Sequence, residues 1–283
     1  MKKLIKLIFL IVYLTLPSIQ ADEFRDLNFR LFDAAKDGNI TLVKELVGKG
    51  ASVKARNRFG NSALIFACRA GSLDLVQYLV ESDSAVNLVN TRGESALMSA
   101  AKSGYQEIAR YLLDQGAEIN HFSLKKVTAL SGAVYGEHTK TVELLLEHGA
   151  RVDIVDNTGK NALIYAAANG NSEIIRLLLT RTENVNQRYA HDLTALMWAS
   201  GYGKNAAAKL LIEAGADVNL QDDRGRSALM MAAIAGHSGL VKELLSRGAI
   251  STQKDNEGKS VIDLAREAKK ENVIQVLSAQ TST

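Results

Sequence analysis

The sequence predicts an all-α solenoid of helix-turn-helix units with β-turn or hairpin tips, in about seven to eight copies. Three observations carry this. The pair Ala-Leu recurs at Ala63-Leu64, Ala96-Leu97, Ala129-Leu130, Ala162-Leu163, Ala195-Leu196 and Ala228-Leu229, always 33 residues apart. The same frame lands on Val261-Ile262 towards one end and Arg30-Leu31 towards the other. Within each copy the apolar residues keep helical spacing, as in Leu75, Val76, Leu79 and Val80. A unit this small cannot bury an apolar face alone, so copies must stack on one another.

Residues 1–21 stand outside that register and read as a signal peptide. Lys2, Lys3 and Lys6 make a positive start, Leu7 to Leu16 is an apolar run, Pro17 and Ser18 break it, and Ala21 offers a small residue for cleavage. Ten apolar residues at 1.5 Å per residue fall short of a hydrocarbon core of ~30 Å, which disfavours an uncleaved anchor. The remaining 22–283 are expected to form a single repeat domain, with repeats starting near 26, 57, 90, 123, 156, 189, 222 and 255. The full chain has 34 Lys+Arg and 31 Asp+Glu. Three of those lysines and no acid lie in the leader, which leaves a mature chain with no net charge. That balance argues against nucleic acid or an acidic membrane as a partner.

Each copy reads the same way. A polar turn such as Asp222-Asp223-Arg224-Gly225-Arg226 comes first, its glycine free to adopt the sharp bend. A capping residue follows: Ser62, Ser95, Thr128, Asn161, Thr194, Ser227 or Ser260. The first helix then carries Ala-Leu and small residues such as Ala166-Ala167, which let neighbouring helices approach closely. After a break at Gly71, Gly104, Gly170, Gly203 or Gly236, a second helix presents its leucines. It ends at Gly50, Gly116, Gly149, Gly215 or Gly248, a residue suited to a left-handed cap. Asp83 and Thr182 stand at that position in two copies, and β-branched threonine is the poorer substitute. The fourth copy is the least regular, with Lys126 in place of the turn glycine and Gly136 one residue early.

The [Ser/Thr/Asn]-Ala-Leu-x-x-Ala start, the Leu-Leu second helix and the tail Ala214-Gly215-Ala216-Asp217-Val218-Asn219 resemble ankyrin repeats. The resemblance covers roughly residues 26–280 and implies the ankyrin-repeat solenoid. Two departures stand out. Alanine replaces the family's proline in the Thr-Pro-Leu-His start, and Ile65, Met98, Ser131, Ile164, Met197 and Met230 replace its histidine. The histidine–hydroxyl bond of the family is therefore expected to be absent throughout, with apolar packing in its place.

No enzyme is expected. His121, His138, His148, His191 and His237 fall at four different phases of the repeat, whereas catalysis or metal binding needs convergence. There is no HExxH, phosphate-binding glycine loop or G-x-S-x-G elbow. Cys68 shares its phase with Ala101, Val134, Ala167, Ser200 and Ala233, where a small buried side chain belongs. No catalytic, cofactor-binding or metal residue is assigned, and no cofactor is expected.

The candidate binding residues are aromatic and basic. Phe66, Tyr165 and Trp198 stand four positions after their caps, and Tyr135 and Tyr202 stand near the ends of their helices. In the ankyrin-like arrangement these positions border the concave side. Arg92, Lys125, Arg224 and Arg226 lie at the turn tips and form a candidate steering rim. Tyrosine, tryptophan and arginine are enriched at binding hot spots. Two readings stand for the rings, binding anchors or inter-repeat packing. The expected function is a non-enzymatic protein-interaction module with a protein partner of unknown identity. The leader points to export, with the periplasm of a Gram-negative bacterium first and the extracellular medium second, and no stable membrane insertion once it is cleaved. A secreted effector that binds host proteins is the first alternative. A thiol- or histidine-dependent enzyme is the second.

Overall fold

A computed structural model describes residues 23–280, so the leader lies outside the described residues. Those residues form sixteen α-helices in eight successive pairs and one 3-10 turn. Extended pairing among them is limited to isolated bridges at the tips: Arg56 with Ser62, Gln221 with Ser227 and Lys254 with Ser260. The contacts divide the chain into two compact units, Met1–Leu124 and Lys125–Thr283.

The first unit holds α1 (23–36), α2 (Ile40–Gly48), α3 (Ala63–Ala70), α4 (Leu73–Glu81), α5 (Ala96–Lys102) and α6 (Gln106–Asp114). First helices stack on first helices, α3 on α5, and second on second, α4 on α6. The core runs between the two layers, where Leu64, Leu75, Leu79, Leu97 and Leu112 are fully buried.

The second unit repeats the scheme over five pairs. They are α7 (Ala129–Tyr135) with α8 (Thr139–Glu147), α9 (Ala162–Asn169) with α10 (Ser172–Leu179), and α11 (Ala195–Gly201) with α12 (Asn205–Glu213). After them come α13 (Ala228–Ala235) with α14 (Ser238–Ser246), and α15 (Val261–Glu267) with α16 (Glu271–Gln280). Helices of seven to ten residues are marginal alone, so the stacking of layers supplies their stability.

Six of the seven capping residues act as expected, whereas Ser260 donates to Asp263 instead. Ser62, Ser95, Thr128, Asn161, Thr194 and Ser227 are all buried, and each side chain accepts the N–H three residues on, at 3.0–3.4 Å. The expectation of no polar bond at the histidine position is corrected at Ser131. Its Oγ accepts the Thr128 N–H at 2.9 Å and lies 3.2 Å from the Thr128 hydroxyl. Asp263 does the same in the last pair, accepting from the Ser260 N–H and hydroxyl at 3.0 and 2.6 Å. A short acceptor restores the bond wherever the chain supplies one.

Two irregular positions resolve differently from one another. Gly136 keeps φ −79°, and Glu137, which is in register with the other breaks, takes the left-handed turn at φ +59°. Stacking therefore holds the bend in place although the glycine has moved. Thr182 avoids the left-handed region. Instead α10 stops at Leu179, and the Thr182 hydroxyl donates to the Leu178 carbonyl at 2.9 Å.

Ser200 is fully buried on α11 at a phase otherwise filled by apolar side chains, and its hydroxyl has no hydrogen-bond partner among the described residues. Leaving such a group unpaired costs about 1–3 kcal/mol. Ser200→Ala is expected to raise stability by about 1 kcal/mol, read as a higher midpoint in urea. A lower midpoint would contradict that assignment.

Candidate functional site

The turn tips are built by a side chain not singled out in the sequence. Asn57, Asn90, Asp156, Asp222 and Asp255 stand at one phase, and each uses its Oδ1 to accept two backbone N–H groups of its own turn. At Asp222 these are Arg224 and Arg226, at 3.0 and 2.7 Å. At Asp156 they are Thr158 and Lys160, at 2.8 and 3.1 Å. Neighbouring tips join through backbone bonds such as Asp223 N–H to the His191 carbonyl and Asn256 N–H to the Arg224 carbonyl, at 3.1 and 3.0 Å. Tyr189 has no such oxygen. The chain there tightens into a 3-10 turn, Ala190–Asp192, with His191 and Asp192 at φ +62° and +57°.

On this frame the first helices of the second unit carry a run of rings. Tyr135 meets Tyr165 edge-on, with centroids 5.9 Å apart. The Tyr165 hydroxyl donates to Asp156 Oδ2 at 2.5 Å, which ties the ring to its tip. Lys160 Nζ lies 5.8 Å from the Tyr165 centroid and 5.0 Å from that of Trp198, within cation–π range of both. Trp198 on α11 and Tyr202, which caps the end of that helix, lie nearly parallel at 6.0 Å. Trp198 is half-buried, whereas Tyr135 and Tyr202 are 64% and 57% exposed.

The run ends in a groove of about 400 Å³. Its apolar lining includes Trp198 from α11, Tyr202 at the end of that helix, and Met231 and Ile234 from α13. Its polar lining comes from two successive tips, with His191 from one and Asp222, Asp223, Arg224 and Arg226 from the next. His191 Nδ1 lies 2.8 Å from Asp223 Oδ2. Arg224 is exposed, and its guanidinium makes no ion pair among the described residues. Arg226 turns inwards, with Nε 4.0 Å from a carboxylate oxygen of Asp255, whose side chain is 1% exposed.

Seven of the nine sequence-derived residues thus lie in the second unit. Tyr135, Tyr165, Trp198 and Tyr202 form its aromatic run, Arg224 and Arg226 line the groove, and Lys125, also in this unit, is an exposed tip residue. Phe66 and Arg92 belong to the first unit. Phe66 sits between Phe32, at 6.2 Å, and the Arg69 guanidinium, at 5.9 Å. Arg92 donates to Glu94 Oε2 at 3.1 Å, an oxygen it shares with Arg69 at 3.0 Å. Lys160, Met231 and Ile234 stand outside those nine, and the structure adds them. Lys160 shares its phase with Arg226, and Met231 shares the Trp198 phase, so the register carried a signal for both.

Burial raises the Asp156 carboxyl, but the Tyr165 and Thr158 hydroxyls and the Lys160 and Thr158 N–H groups outweigh it, and the net effect is to lower its pKa. A lowered carboxylate contributes stability that is fully present above its unfolded value, near 4, and is lost as pH falls through the folded one. Asp156→Asn is therefore expected to flatten the acid limb of the stability–pH curve below about pH 4, measured by urea unfolding at several pH values. An acid limb identical to the parent's would contradict it.

Cys68 is fully buried on α3, and burial drives its thiol pKa upwards. Native protein is expected to be unreactive towards a thiol-titrating disulfide reagent and to release one equivalent on unfolding. Rapid native titration would restore a chemical role for the thiol. Among the described residues no three or more His, Cys, Asp or Glu side chains gather as metal ligands would. Nor is any described helix long and apolar enough to cross a membrane.

No curated protein matches the chain. The family description "Ankyrin repeats (3 copies)" matches it three times, over residues 31–123, 121–189 and 190–282. With helix pairs stacked within each unit, buried hydroxyl or amide caps and bonded turn tips, the chain belongs to the ankyrin-repeat family.

Proposed function

We propose that this chain is a non-enzymatic protein-binding module, exported through its leader to the periplasm, that grips its partner with the first-helix face and turn tips of its second unit. Ankyrin repeats are in general protein–protein interaction modules, and scaffold alone does not choose a target. The observation that carries the site is the aromatic run from Tyr135 to Tyr202. It leaves two large rings exposed, and the second of them, Tyr202, lines a groove with a basic residue at its rim. Rigid aromatic anchors of this kind dominate protein interfaces at little entropic cost. Export rests on residues 1–21, which read as a cleaved signal peptide.

The test is capture from periplasmic extract with residues 22–283, alongside a Trp198→Ala, Tyr202→Ala double variant. The expected result is a protein retained by the parent and lost from the variant. Equal recovery by both would move the site to the tips or the outer helices. Accumulation of the native protein in culture supernatant or host cytosol, with none in the periplasm, would replace the periplasmic reading with that of a secreted effector.

A further inference from the structure

The rim of the groove is unevenly satisfied. Every carboxylate near it is engaged by the protein's own chain. Asp222 holds two N–H groups of its turn, Asp223 meets His191, and Asp192 lies 4.0 Å from Arg188. Asp156 holds Tyr165 and Thr158. Two cations beside Trp198 have no such partner. Arg224 makes no ion pair among the described residues, and Lys160 Nζ has only a long contact of 3.4 Å to the Thr158 hydroxyl besides the two rings it covers. Arg226, by contrast, is already directed at buried Asp255.

The groove therefore offers an apolar floor and, on the same face, two cations without an ion pair among the described residues, Arg224 in its lining and Lys160 over Trp198. A volume of about 400 Å³ suits a few side chains of a peptide rather than a folded domain. We propose that it takes a short acidic peptide segment, with an apolar side chain seated against Trp198 and Met231 and neighbouring carboxylates on Arg224 and Lys160. This rests on the reading of the chain as a protein-binding module and adds the chemistry of the occupant. Burial of the apolar anchor supplies affinity, and the two cations select sign and speed encounter.

Trp198 is the sole tryptophan, so its emission reports on the groove directly. The probes are three synthetic peptides of about ten residues with a common Leu-Phe-Leu core, flanked by aspartate and glutamate, by serine, or by lysine. The acidic peptide is expected to change Trp198 emission saturably and to bind at least about tenfold more tightly than the other two at low salt. Its advantage should shrink at about 0.5 M salt, as screening requires. Replacing Arg224 and Lys160 together with alanine should cost the acidic peptide roughly tenfold, at a few-fold per exposed pair, and leave the serine peptide unchanged.

Equal binding of all three, tighter binding of the lysine peptide, or no saturable change with any of them would overturn the proposal. The capture experiment separates this from failure of the broader reading. A partner lost from the Trp198→Ala, Tyr202→Ala variant, together with indifference to peptide charge, would leave a protein-binding face standing with the wrong occupant. No peptide binding and no variant-sensitive partner would remove both.

Discussion

A chain with Trp198 and Tyr202 both replaced by alanine is expected to bind its protein partner about 100-fold more weakly or worse, while keeping its helix content. Loss of a hot-spot aromatic costs about 2 kcal/mol or more, and two stacked rings lost together should cost about 3 kcal/mol, less than simple addition because the rings are in contact. The fold should survive because α11 is held by other groups. Thr194 still caps it, and Leu196, Met197 and Ala199 remain buried. Tyr202 is mostly exposed, so its truncation removes little from the core. The measurement is a titration of captured partner against parent and variant, with circular dichroism and urea unfolding run on both. Undiminished affinity in a folded variant would sink the aromatic site. Weakened affinity with collapsed helicity would show that the rings serve packing.

The second large effect concerns stability. Gly159→Ala is expected to destabilise the second unit by about 3 kcal/mol or more, because two penalties coincide there. Gly159 has φ +75°, and an added Cβ would lie 2.2 Å from the Ala190 Cβ of the next tip. Far-end motion of a flexible side chain cannot relieve that clash, since Ala190 has no further atoms to move and sits in a tight 3-10 turn. Gly215→Ala is the control within the same unit. Its φ is +92°, and nothing lies within 4 Å of a Cβ built there, so only the left-handed penalty of about 1–2 kcal/mol applies. Urea unfolding of both variants separates the two causes. Equal losses would show that backbone strain alone accounts for Gly159.

Much of the scaffold was legible because each repeat solves the same packing problem. The recurring Ala-Leu pair marked the start of six first helices, and Ser62, Ser95, Thr128, Asn161, Thr194 and Ser227 were recognisable as caps from residue type alone. The aromatic candidates were legible as positions, since their phase follows from the period. Less visible were exceptions that depend on neighbours. Glu137 adopts a conformation usually left to glycine because the helices on either side keep the bend in register. Thr182 escapes the same demand by ending its helix early. Ser131 makes a capping bond that is not expected once histidine is replaced, because a hydroxyl in that place still reaches the Thr128 N–H.

By itself the sequence determined the period, the helical class of every repeat, the caps and the family, because those features depend on residues within one copy and on identity between copies. Only the tertiary structure decided which rings meet, which charges are already answered and where a groove opens. Arg226 and Arg224 stand two residues apart in one tip, yet one is directed at buried Asp255 and the other lies exposed beside Trp198. Lys160 reaches Trp198 from 38 residues away because stacking brings successive copies side by side. Pairings of this kind are set by the rotation between neighbouring repeats and by the competition of each side chain for nearby partners. Neither quantity is encoded at any single position of the 33-residue frame.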